Sequence, residues 1–161
     1  MINQIVIEKL NAKFPESLEG TNEFRNDLTV QVRKQDIVRV CEFLKTDPDL
    51  SFDMVIDLCG SDMYRPEGRF EVIYNLYSLK NKSYLRLKVL VDEDPCEVDS
   101  VTGVWSGANW HERETYDMFG IVFKGHPDLR RMYMTEDYEY YPLRKDFPLM
   151  GVPDSIPLPR K

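Results

Sequence analysis

Three carboxylates, Glu112, Glu114 and Asp117, fall within one short stretch and could in principle supply the acid and base of a hydrolase. His111-Glu112 opens like the helix of a zinc protease, whose metal needs two histidines one helical turn apart. Position 115 is Thr, so that ligand pair is missing. His111 and His126 are the only histidines, and each reads as a capping or turn-packed imidazole rather than a ligand. Cys41, Cys59 and Cys96 are widely spaced, without a Cys-x-x-Cys for zinc or an iron–sulfur cluster, and read as reduced thiols. Glycine-rich nucleotide and phosphate loops and a Gly-x-Ser-x-Gly elbow are also absent. An autonomous enzyme is disfavoured, because no cleft motif accompanies the carboxylates. What remains is a dense charge pattern: Glu112, Arg113, Glu114 and Asp117, then Arg130, Arg131, Arg144, Lys145 and Asp146, set among aromatics. It predicts a docking surface, with no catalytic, cofactor-binding or metal-binding residue in the chain.

These charges need a scaffold, and the periodicity supplies one. Ile2, Ile5, Val6 and Leu10 predict a short helix that ends before Pro15. Leu28, Val30 and Val32 alternate with polar residues as in a half-buried strand. Ile37, Val40, Cys41 and Leu44 follow helical spacing up to Asp47-Pro48. Met54–Cys59 reads as a strand, and the alternating runs 70–77 and 84–91 read as an antiparallel hairpin. Asp94-Pro95-Cys96-Glu97 has the outline of a capping box, so a helix is expected through Val98, Val101 and Trp105 to Gly107. A last helix is expected from Asn109 to a stop at Gly120. The fold class predicted is α+β: a mixed, mostly antiparallel sheet with helices packed on one face, plus an extended proline-rich tail.

On the last helix, Trp110, Arg113, Glu114 and Asp117 share one arc, with Arg113 and Asp117 placed as an i, i+4 pair. A solvated face is one reading. The other is a helix covered on most sides, because Trp110, Tyr116 and Phe119 are costly to leave in water; its charges then need partners. Arg130, Arg131, Arg144 and Lys145 are the available cations.

The division expected is a body, residues 1–141, and a tail, residues 142–161, which holds half of the ten prolines. The tail carries Arg144, Lys145, Arg160 and Lys161 against Asp146 and Asp154, within a chain of net charge −7. It is either a frayed end or an arm laid along another protein. The acidic balance argues against nucleic acid as a partner. No stretch reaches the roughly 18 apolar residues of a membrane helix, and the N-terminus lacks the pattern of a secretory signal.

Three segments carry a resemblance. Glu112-Arg113-Glu114-Thr115-Tyr116-Asp117-Met118-Phe119-Gly120-Ile121-Val122-Phe123, Gly125-His126-Pro127-Asp128-Leu129-Arg130-Arg131 and Pro142-Leu143-Arg144-Lys145-Asp146-Phe147-Pro148 resemble the signature of the respiratory complex I 30 kDa subunit family, which in bacteria belongs to NADH-quinone oxidoreductase. The resemblance implies a cofactor-free, non-catalytic subunit of the hydrophilic arm, with a structural and assembly role in electron transfer from NADH to quinone. It implies a 49 kDa-type subunit and cluster-bearing arm subunits as partners. NADH, FMN, iron–sulfur clusters and quinone would belong to the complex, on the cytoplasmic side of the inner (plasma) membrane. Related complexes share the signature: a plastoquinone-reducing NDH-type complex, or a membrane-bound hydrogenase or formate hydrogenlyase. One departure is Tyr140-Tyr141, where the family often has Gly before an aromatic; a left-handed turn there would strain Tyr140.

Overall fold

Alternation of apolar and polar residues is strongest in the two runs that form the middle of the sheet. The computed structural model describes residues 2–151. The chain runs α1 (Ile2–Lys13), β1 (Leu18–Phe24), β2 (Asp27–Val32), α2 (Ile37–Thr46) and β3 (Met54–Asp62). β4 (Phe70–Ser78), β5 (Ser83–Val91), β6 (Glu97–Asp99), α3 (Ala108–Phe119) and β7 (Val122–Lys124) follow. One sheet has the order β1-β2-β5-β4-β3, with β2 and β5 parallel and the other pairs antiparallel. β6 and β7 form a small parallel sheet of their own. The expected mixed, mostly antiparallel α+β architecture is present.

The hairpin of β4 and β5 pairs Phe70 with Val91 through to Ser78 with Ser83. Period two then puts Phe70, Val72, Tyr74 and Leu76 on the same face as Leu85, Leu87, Val89 and Val91, and all are buried. Val6 and Leu10 of α1 and Ile37, Val40, Cys41 and Leu44 of α2 belong to the same core. Each buried aliphatic side chain of this kind contributes roughly 1.5–3 kcal/mol. The other face is mixed: Lys88 pairs with Glu71 at 3.1 Å and Arg86 donates to Asn75 at 3.1 Å, while the Tyr77 and Tyr84 rings meet beside them.

Two regions differ from the sequence expectation. β1 had no apolar signal because it is an edge strand, exposed along most of its length. Backbone pairing with β2 holds it, across a turn in which Arg25 and Asn26 both have positive φ, 52° and 69°. The helix expected from Asp94 to Trp105 does not form. Glu97–Asp99 is strand β6, and residues 101–105 close tight turns, with the Val104 and Trp105 N–H groups donating to the Val101 carbonyl. β-branched Val98 and Val101 suit an extended path. Val98 pairs with Phe123 of β7, and the Val101 N–H donates to the Glu112 carboxylate instead of to a helix turn.

α3 begins at Ala108 after Gly107, two residues earlier than an Asn109 cap would give, and stops as expected at Gly120, whose φ is 75°. Gly60 lets it lie close on β3: a Cβ there would stand 2.7 Å from the Phe119 ring. Of the expected tail, residues 142–151 are described and run in turns, while residues 152–161 lie outside the described residues. Neither Tyr140 nor Tyr141 has positive φ, so the expected strain at that departure is absent.

Candidate functional site

Asp117 is buried in the third helix and serves as an anchor for the chain that follows. Its carboxylate accepts the backbone N–H groups of Met132, Tyr133 and Met134 at 2.9, 2.6 and 3.0 Å. Arg131 adds an ion pair at 2.8 Å. Burial alone would raise the Asp117 pKa, but the donors of Met134, Tyr133, Arg131 and Met132 outweigh it and hold the carboxyl below its ordinary value. Asp117 is thus ionised, and it gathers residues 131–134 onto α3.

Glu112, also fully buried, holds the loop on the other side. It accepts the Ser100 hydroxyl at 2.6 Å and the Val101 N–H at 2.7 Å. Burial pushes its pKa up to about 7, against the opposing pull of these two bonds. The imidazole of His126, its side chain buried, stands 4.0 Å away. His126 Nδ1 accepts the Asp128 N–H at 3.0 Å, so Nε2 carries the proton, facing the Asn109 carbonyl at 3.2 Å.

The remaining predicted residues divide. The i, i+4 pairing of Arg113 with Asp117 is not made. Arg113 instead donates to the carbonyls of Arg130 and Arg131 at 3.0 and 3.3 Å and lies over the Trp110 ring. Arg130 is exposed and grips Asp128 with two bonds, at 2.7 and 2.8 Å. Glu114 is exposed and has no hydrogen bond or ion pair among the described residues. Charge on this helix therefore follows two rules. Its buried carboxylates are satisfied within the chain, and its outer charges face away.

Arg144, Lys145 and Asp146 meet the body at the C-terminal end of α3. The Leu143 N–H donates to the Met118 carbonyl at 3.1 Å and Arg144 Nε to the Phe119 carbonyl at 2.6 Å, so both satisfy carbonyls that the helix end leaves open. The Lys145 N–H donates to Asp62 at 2.8 Å, and Asp146 pairs with Arg69 at 2.8 Å. Arg69 is buried and also bonds Asp62, at 2.9 and 3.2 Å, and Glu93, at 2.6 Å. Gly120 makes this joint possible: a Cβ there would fall 2.6 Å from the Tyr141 ring and 2.7 Å from the Arg144 guanidinium. Asp62, Arg69, Glu93, Ser100 and His126 were not among the predicted residues. No local motif marks the first four, whose partners lie far along the chain; His126 sat in the signature but was read as a packed turn residue.

No group of three or more His, Cys, Asp or Glu side chains among the described residues is placed to hold a metal ion. Burial raises the pKa of all three thiols, that of Cys96 to about 11, so none is poised as a thiolate. Glu112 and Asp117 are enclosed and bonded, and neither faces a substrate cleft.

A family model described as the respiratory-chain NADH dehydrogenase 30 Kd subunit matches residues 30–153. An NADH-quinone oxidoreductase subunit of Roseiflexus sp. (strain RS-1) is 54% identical over 147 residues, 91% of this chain and 84% of that one. Its namesake in Geotalea uraniireducens (strain Rf4) is 49% identical over 155 residues, 96% of this chain and 93% of that one. A solved trypsin-resistant fragment of Nqo5, residues 1–134, is 34% identical with a TM-score of 0.68, covering 80% of this chain and all of the fragment. A chain of an archaeal membrane-bound sulfane sulfur reductase shares the fold, with a TM-score of 0.78 at 21% identity, over 93% of this chain and 88% of that one. The matched residues 30–153 take in the sheet core, α3 and the segments gathered by Asp117, Glu112 and Arg69, and the chain belongs to the 30 kDa subunit family of respiratory-chain NADH dehydrogenases.

Proposed function

We infer that the chain is a non-catalytic subunit of NADH-quinone oxidoreductase, complex I, acting in the hydrophilic arm as a structural and assembly component. The observation that carries this reading is the family match over residues 30–153 together with the use made of its charged signature. Glu112, Asp117, Arg131 and Arg144 each hold a segment of the chain against α3, a structural use of the signature charges. NADH, FMN, iron–sulfur clusters and quinone belong to the complex rather than to this chain. Among the described residues no helix is long and apolar enough to cross a membrane. Attachment on the cytoplasmic side of the inner membrane would come through the other subunits.

The partners proposed are the 49 kDa-type subunit and the cluster-bearing subunits of the arm, engaged through the tail 142–161 and the outer charges. The described beginning of that tail, tied to Met118, Phe119, Asp62 and Arg69, gives the arm a fixed point of departure. Purification of the tagged chain in mild detergent, with identification of what accompanies it, tests the reading. The 49 kDa-type, flavin-bearing and cluster-bearing subunits are expected in fixed ratio. Recovery with hydrogenase subunits, or of the chain alone, would contradict it.

A further inference from the structure

Arg113 stands apart from the other charges of α3. The carbonyls of Arg130 and Arg131 fix the direction of its guanidinium without neutralising it. Asp128 and Asp117, the carboxylates of these segments, are taken by Arg130 and Arg131, and Arg113 has no ion-pair partner among the described residues. Its guanidinium carbon lies 5.0 Å from the centroid of Trp110, whose surface is 58% exposed. An open groove of about 760 Å³ runs beside the pair, walled by Thr102, Gly103, Asn109, Pro127 and Asp128.

We propose that Trp110 and Arg113 anchor a protein–protein contact that takes a partner segment carrying a carboxylate beside an apolar side chain. This rests on the docking-subunit reading above and adds the chemistry of the partner. Charge complementarity selects the carboxylate: an arginine with free N–H donors and no ion pair among the described residues accepts one through charge-assisted bonds, in a geometry that lysine cannot reproduce. The indole face selects the apolar neighbour, and Trp and Arg are the side chains most often found as interface anchors. The two carbonyls and the stacked ring already hold Arg113 in place, so little rotamer freedom is lost when the partner arrives. Phosphate-rich nucleic acid, which needs a concentrated basic face, does not fit a chain of net charge −7.

The test uses the full chain in cells that build the complex. A benzophenone amino acid at Ser106, an exposed groove position, is photolysed in the purified complex, and the linked peptide is sequenced. The expected product is one peptide of another subunit containing Asp or Glu. Trp110→Ala and Arg113→Glu should each lower recovery of the chain with the complex by about tenfold or more, the loss expected for one anchor side chain. Exchanging the linked carboxylate for Lys should restore recovery of the Arg113→Glu chain. Trp110→Ala, which removes a mostly exposed side chain, should leave the melting temperature of the free chain unchanged and decides the case if Arg113→Glu fails to fold. A cross-link to a second copy of this chain, no cross-link, or wild-type recovery of Trp110→Ala overturns the proposal while the subunit reading stands. Failure to recover even the wild-type chain with the complex removes both.

Discussion

Asp117 and Glu112 sit five residues apart on one helix and titrate in opposite directions. For Asp117 the folded pKa lies below the unfolded one, so its stabilisation is full above the unfolded value and is lost as pH falls through the folded one. Removing it leaves Arg131 and three N–H groups without their acceptor, and Asp117→Ala should cost about 3–5 kcal/mol, as for other broken buried pairs. Chemical denaturation at neutral pH measures this. Glu114→Ala should change stability by less than about 0.5 kcal/mol, as an exposed substitution does. Glu112 behaves in reverse. Its folded pKa, about 7, is above the unfolded value of about 4.5, so the folded state holds the proton more tightly. Stability conferred by that proton is full below the unfolded value and declines as pH rises toward 7. Glu112→Gln keeps an acceptor for Val101 and removes the linkage, so its melting temperature should gain on the wild type between pH 5 and pH 8. A constant difference across that range would show that Glu112 is not protonated in the fold. The sequence placed both residues in the signature, but their burial was not legible. Burial depends on where Ser100 and residues 131–134 arrive, and nothing local to α3 says so.

At the level of elements, what the chain announced was whatever carries a core-facing period. The hairpin 70–77 and 84–91, the helix at 37–44 and the stop at Gly120 were all readable for that reason. β1 has almost no buried side chain and left no trace. The capping outline at Asp94-Pro95 lost to a tertiary competitor, the pairing of β6 with β7 and the use of the Val101 N–H by Glu112. The joint between α3 and the tail was legible only as two charged motifs, because its closing partners, Asp62 at the end of β3 and Arg69 just before β4, lie far away in the chain. Gly120 is its most sensitive point. Gly120→Ala adds a methyl group where Tyr141 and Arg144 already stand, at a backbone φ of 75° that disfavours Ala. The expected effect is a loss of about 1–3 kcal/mol, with faster hydrogen exchange at the Leu143 and Lys145 amides than in the β4–β5 hairpin. Unchanged exchange at those amides would mean that the joint tolerates the methyl group.

On the scale of the whole molecule, the proposed role needs a folded body that presents an arm and an outer charged face to other subunits and does no chemistry itself. The body's core is built from all three helices, both sheets and the segment before α3, all of it upstream of Pro142. A chain ending after Tyr141 should therefore still fold cooperatively, at a lower melting temperature because the C-terminal end of α3 loses Leu143 and Arg144. It should fail to enter the complex on a native gel; normal entry would show that the tail is a frayed end. The most direct measurement compares NADH-quinone reductase activity in membranes with the amount of assembled complex, for cells carrying the full chain, no chain, the truncated chain and Asp117→Ala. A purely structural subunit predicts that activity falls in step with assembly, so that the rate per assembled complex stays constant. A variant that assembles fully yet turns over more slowly, or full activity in membranes lacking the chain, would contradict that role.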